Sequence, residues 1–209
     1  MAAQYIVIEG IDGAGKTSAM QTVTQLLPQL GVDDWITTRE PGGTALAEHI
    51  RQLLGQTEPS ESWHPHSELL LMYASRVQVV HQVVQPALAV GQWVISDRHE
   101  LSTRAYQGGG RQLPEAWLQQ LHHWLFDDFW PHLTLYLDLP PEIALERARK
   151  RGALGRFEQL GLEFYTRVRN RYLQLAEQCP NVVTIDASQP FTTVQQAITK
   201  TLLTTYQSS

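Results

Sequence analysis

A single cysteine, Cys179, stands among 209 residues, so no internal disulfide and no thiolate metal cluster can form. The thiol reads as a structural group of a reducing compartment. No apolar run approaches the ~18 residues that a membrane-spanning helix requires. Strand-like residues begin at Tyr5, which leaves no room for a signal peptide and sets cytoplasmic localisation as the expectation. Positive charge is in deficit: 16 Lys and Arg oppose 21 Asp and Glu, for a net charge of −5. That balance argues against a nucleic acid or an anionic membrane as partner. Repeats, low-complexity tracts and linkers are also missing. With 43% hydrophobic residues, the expectation is one domain over residues 1–209 around one sizeable core.

What the chain does have begins at Gly10-Ile11-Asp12-Gly13-Ala14-Gly15-Lys16-Thr17, directly after the apolar run Tyr5-Ile6-Val7-Ile8. This is the spacing of a phosphate-binding loop. Its glycines let successive backbone N–H groups turn inward around a polyphosphate, its lysine reaches the outer phosphates, and its Thr hydroxyl can ligate magnesium. The context agrees, since a β-branched strand precedes the loop. A helix-compatible stretch follows it, with apolar positions at Met20, Val23, Leu26, Leu27 and Leu30.

Short apolar runs recur at Tyr5–Glu9, Trp35–Thr38, Trp93–Ser96, Leu133–Leu139 and Val182–Ile185, with helical stretches between them. The alternation predicts βαβ units and an α/β fold: a five-stranded parallel sheet with helices on both faces. Ligands of such sheets collect at the carboxyl ends of the strands. There the sequence places Glu9 and the loop, then Arg39-Glu40-Pro41-Gly42-Gly43-Thr44, then Asp97-Arg98-His99. Asp97 is suited to hold magnesium directly or through water, and Arg98 offers a planar fork for a second phosphate.

Helices are expected over Ala45–Leu54, Glu68–Leu88, Leu113–Phe129 and from about Thr192 to Tyr206, and Thr57–His66 reads as a surface loop. Arg76 interrupts the apolar face of the Glu68–Leu88 pattern. It must lie at the rim, pair with a carboxylate or point at a polar ligand, and periodicity alone favours the two structural options. Leu101–Arg111 carries Ser102, Thr103, Tyr106 and Gln107 before Gly108-Gly109-Gly110, which reads as a flexible tip or a close approach of backbone to substrate. After the last strand, Asp186–Pro190 is a loop that backbone groups could offer to a nucleotide base.

Eight of the 16 basic residues lie between Arg147 and Arg171, opposed only by Glu158 and Glu163. Arg147 and Arg151 share a helix face four residues apart, and Gly152 and Gly155 hinge the stretch before Arg156. A basic, glycine-hinged segment over about 147–158 is what a closing lid looks like, supplying arginines to a phosphoryl group in transfer. No Asn-Lys-x-Asp motif of a switch GTPase is present. Phosphate loop, Asp-Arg and lid together point to a nucleotide kinase, which must exclude water from ATP.

The chain resembles the thymidylate kinase family in its bacterial subtype, whose catalytic arginines lie in the lid. The resemblance runs through Ile8-Glu9-Gly10 and the loop, Thr38–Thr44, Tyr73-Ala74-Ser75-Arg76, Asp97-Arg98-His99, Ser102–Arg111 and the arginine lid. It implies a P-loop NTPase fold and the reaction ATP + dTMP ⇌ ADP + dTDP with Mg2+, in the supply of dTTP, by a homodimer assembled through the Glu68–Leu88 helix. It also implies that Lys16, Gly10, Ile11, Asp12, Gly13, Ala14, Gly15 and Arg149 serve ATP, with Thr17 and Asp97 on the metal. Arg39 and Arg98 would grip the dTMP phosphate, Asp12 would approach the sugar 3′-hydroxyl, and Arg76, Met72, Thr103 and Gln107 would meet the base. Tyr106 would crowd the sugar 2′ position. Arg147, Arg151 and Arg156 would close on the phosphates, with Arg151 first at the transition state. Two positions depart from the family pattern: Met72 stands where an aromatic usually stacks on thymine, and Gly155 where the lid usually has Asp. A kinase for UMP or dUMP, and a P-loop module that binds ATP without an acceptor, are the competing readings.

Overall fold

The computed structural model describes residues 2–56, 61–152 and 155–207, and the backbone alone at Arg151. Five strands, β1 (Tyr5–Glu9), β2 (Trp35–Arg39), β3 (Trp93–Asp97), β4 (Leu133–Asp138) and β5 (Val182–Asp186), form one sheet in the order β2-β3-β1-β4-β5. Every pairing is parallel. β1 is buried along its whole length, as a central parallel strand covered on both faces must be.

The period-2 alternation of β1 divides the core. Ile6 and Ile8 pack into a large cluster with residues of α1 (Lys16–Leu26), α8 (Gly161–Gln178) and α9 (Phe191–Tyr206). Tyr5 and Val7 turn to the opposite face, toward Val79, Val84 and Ala87. Those residues belong to one long helical run: α3 (Pro65–Val79), a π-helical turn (Val80–Val84) and α4 (Gln85–Ala89). α2 (Ala45–Gly55) lies before it and starts at Thr44, whose side chain accepts from the Ala47 N–H as an N-cap. α6 (Glu115–Phe126) follows, with Leu118 and Phe126 inward and Trp117 and Trp124 outward. α7 (Pro141–Arg151) begins with Pro at its first position.

Register sets the working edge. Ile8 and Arg39 both pair with Asp97, and Glu9 pairs with Tyr136, so Glu9, Arg39 and Asp97 end at one rim of the sheet.

The Leu101–Arg111 stretch is not a flexible tip. It forms α5 (Glu100–Thr103) and a buried π-helical turn (Arg104–Gly110) packed on α8. A Cβ on Gly109 would lie 2.6 Å from Arg171 Cβ, and one on Gly110 2.5 Å from Phe164 Cε2. Gly109 and Gly110 let two helical elements touch. Of the expected Thr57–His66 loop, residues 57–60 lie outside the described residues, and α3 already starts at Pro65, with His64 as its N-cap. The loop after β5 is closed on itself, with the Asp186 carboxylate accepting from Ser188 and Gln189.

Candidate active site

The phosphate loop runs from β1 into α1 through glycines in backbone regions that other residues avoid. Gly10 has φ 142, Gly13 φ 84 and Gly15 φ 92, and a Cβ on Gly10 would approach the Leu137 carbonyl to 2.7 Å. Lys16 Nζ donates to the carbonyls of Gly10 (3.1 Å) and Ile11 (3.2 Å) and lies 3.9 Å from Asp12. Burial and the neighbouring Arg98 charge lower its pKa to about 8 against the pull of Asp12. Thr17 is exposed in the first turn of α1.

Arg98 joins loop and β3. Its Nη2 donates to Asp12 Oδ1 at 2.6 Å and its Nη1 to the Gly10 carbonyl at 2.9 Å and to Ser102 Oγ at 3.0 Å. Burial would raise the Asp12 carboxyl, but Arg98 and Lys16 outweigh it and hold the group well below the usual carboxylate range. Tyr165 on α8 also donates to Asp12 Oδ2 at 3.1 Å, a contact that nothing near Asp12 in the sequence announces. Tyr106 lies under Arg98, whose guanidinium is 5.1 Å from the ring centroid.

Arg98 has φ 75, uncommon for a side chain of this size. Its N–H donates to the Ile8 carbonyl at 2.9 Å. The buried Glu9 carboxylate accepts from the His99 and Ser102 N–H groups, Ser102 Oγ and Tyr172 Oη. Burial raises the Glu9 pKa against those contacts and the Arg98 charge. Glu9 stands in the sequence at a strand end before the loop, the only hint of this clamp.

Beside this junction lies a cavity of about 420 Å³ whose walls include Asp12, Met72, Arg76, Arg98, Thr103, Tyr106, Gln107 and Arg156. Eight residues expected to act together therefore meet at one space. Of its three sequence options, Arg76 takes the pairing with carboxylates. It is a wall residue, yet Nε donates to Glu40 at 2.6 Å, Nη1 to Glu100 at 2.7 Å, and Nη2 to Thr103 Oγ1 and the His99 carbonyl. Burial would raise both carboxyls; His99 and Arg76 at Glu40, and Arg76 and His122 at Glu100, keep them below their ordinary range.

Other expected residues stand elsewhere. Arg39 is half-exposed and forms a two-pronged pair with Glu48 on α2 (3.1 and 2.8 Å); it is not among the cavity walls. Arg147 Nη1 reaches the Gly13 carbonyl at 2.9 Å, and Arg149 is exposed on α7. The side chain of Arg151 and residues 153–154 lie outside the described residues. Gly155, where the family pattern has Asp, is tied through its N–H to Glu158 Oε2 at 2.6 Å, so Glu158 anchors the turn.

For a magnesium ion the donor set fits. Asp97 Oδ1 is buried without a hydrogen-bond partner at the end of β3, and Thr17 offers a hydroxyl, both hard oxygen ligands. No cluster of three or more acidic, His or Cys side chains occurs among the described residues, so phosphates and water would complete the coordination.

The family model of thymidylate kinase matches residues 8–198. The crystal structure of thymidylate kinase from Ehrlichia chaffeensis superposes with a TM-score of 0.76 at 30% identity, covering 97% of this chain and 99% of that one. With the phosphate loop, the Asp-Arg at β3 and the cavity between them in the order the motifs require, the chain belongs to the thymidylate kinase family.

Proposed function

We propose that this chain transfers the γ-phosphoryl group of ATP to dTMP, giving ADP and dTDP. The observation that carries the reading is the Arg98 bridge. One guanidinium touches both the phosphate loop, at Gly10 and Asp12, and the floor of the neighbouring cavity, at Ser102. A donor phosphate on the loop and an acceptor phosphate in the cavity would meet there. The acceptor oxygen attacks the γ-phosphorus as the bond to the β–γ bridging oxygen breaks, and the leaving charge passes to ADP.

Lys16 and the loop amides would hold the donor phosphates. Thr17 and Asp97 would hold magnesium, which would supply positive charge to offset that of the donor phosphates. Arg98 would orient the acceptor phosphate, and Arg147, Arg149 and Arg151 would approach the transferring group from α7. Arg76 presents a carboxylate-braced face to the base, beside Thr103 and Gln107. Arg39 would join the acceptor phosphate only by leaving Glu48. Residues 147–158 would form the lid of one domain spanning 1–209.

The acceptor test is phosphate transfer from ATP across dTMP, dUMP and UMP. dTMP should be preferred; equal rates with UMP and dTMP would overturn the assignment, and ATP turnover indifferent to every monophosphate would favour a binding module. Lys16→Ala should abolish transfer while the protein stays folded, read by coupled ADP release and circular dichroism. The partner is a second copy of the chain. Leu70 and Trp124 are 59% and 78% exposed and line, with His66, Trp117 and Leu121, an apolar groove between α3 and α6. No described helix is long and apolar enough to cross a membrane.

A further inference from the structure

The basic segment is continuous in sequence but its two ends serve different neighbours. Arg147, on α7, donates to the phosphate loop at Gly13. Gly155, Arg156, Phe157 and Glu158 instead wall the acceptor cavity together with Met72 and Leu54. Arg156 does not extend into solvent as an arginine waiting for a donor phosphate would. Its side chain is 9% exposed. Nε donates to the Leu54 carbonyl at 2.7 Å and Nη1 to Glu68 Oε2 at 2.5 Å, and the guanidinium lies 4.3 Å from the Phe157 ring centroid.

Glu68 is fully buried at the start of α3 and also collects Gln107 (2.8 Å) and Arg111 (2.8 Å). Gln107 is itself a wall of the same cavity. The carboxylate is thus fixed from three sides, and burial, which would raise its pKa, is outweighed by Arg111, Gln107 and Arg156. Of the three Arg156 nitrogens, Nη2 is buried and has no hydrogen-bond partner. A buried donor left unpaired is costly, and Arg156 is a wall of the cavity that a nucleotide would enter.

We propose that Arg156 is an acceptor-binding residue carried by the lid and positioned by Glu68, its Nη2 donating to an oxygen of the nucleoside monophosphate, while Arg147 serves the donor side. The proposal rests on the phosphoryl-transfer reading. It makes the lid a clasp with one arm on each substrate. Glu68 is a positioning residue: it touches no substrate and acts by aiming Arg156.

Steady-state kinetics on the full chain, varying dTMP and ATP separately, test it. A charge-assisted hydrogen bond that anchors the acceptor corresponds to about a tenfold or larger change in affinity. Arg156→Gln should therefore raise KM for dTMP about tenfold or more and leave KM for ATP within about twofold. Arg156→Lys, which keeps the charge without the fork, should not restore it. Glu68→Gln should raise KM for dTMP in the same direction, and the double variant should be no worse than Arg156→Gln alone. Should Glu68→Gln fail to fold, judged by its melting curve, the Arg156 variants carry the test. A kcat loss of about 10³-fold with KM for dTMP unchanged would make Arg156 a transition-state contact and overturn the proposal. A selective rise in KM for ATP, or wild-type constants throughout, would overturn it too. If wild-type protein fails to phosphorylate any pyrimidine monophosphate, it is the parent reading that falls; if wild type transfers and Arg156→Gln matches it, only this inference does.

Discussion

Lys16 carries the clearest pH signature of the site. Its ordinary pKa of 10.5 falls to about 8 because burial and Arg98 disfavour the ammonium. Free enzyme therefore loses that charge above about pH 8, and kcat/KM for ATP should fall about tenfold per pH unit beyond it. Bound phosphates hold the proton, so kcat should stay flat to higher pH; a kcat/KM flat through about pH 10 would contradict this placement of Lys16. The effect on stability has the opposite slope. Between about pH 8 and 10.5 the unfolded chain binds more protons at this site than the folded one, so the Lys16 contribution rises with pH. The loop spacing marked Lys16 for the site and the strand-end position marked Arg98, while Asp12 came with the family resemblance. Arg76 was less legible, because Glu40 and Glu100 reach it from 36 and 24 residues away and no local pattern records such partners. Glu40 was visible beside Arg39, yet the turn aims Arg39 outward to Glu48 and Glu40 inward.

Elements followed the hydrophobic period closely, and β1, β2, β3 and β5 extend at most one residue beyond their expected ends. β-branched runs buried on both faces give a strong signal. The 104–110 turn gave none, since its Gly109 and Gly110 are required by α8, more than fifty residues downstream. The element makes a discriminating prediction. Gly110→Ala places a methyl 2.5 Å from the Phe164 ring and should cost about 1–3 kcal/mol by overpacking. Gly108→Ala, with its nearest neighbour at 3.5 Å, should be close to neutral. Thermal melts of the two variants decide; equal midpoints would mean α8 yields at no cost.

For the molecule as a whole, the outer face of α3 and α6 is the surface we propose for a second copy. Trp124→Glu puts a charge where 78% of a large aromatic is exposed, and should convert the proposed dimer to monomer in sedimentation velocity with the fold retained. A wild-type protein already monomeric at micromolar concentration would remove the second copy from the account. The parallel order of the sheet was readable from the alternation of short strands and helices, and with it the rim where the site lies. Which lid residue faces which substrate was not, because charge density along a sequence carries no direction in space.

β1 is the shared stave of the two halves. On one flank its last residues hold the backbone of Arg98 and His99 through Ile8 and Glu9; on the other, Gly10 presses against Leu137 with no clearance for a methyl group. On the proposed assignment of donor and acceptor, any distortion at this fulcrum should disturb both together, so damage to Gly10 should not be confined to either nucleotide.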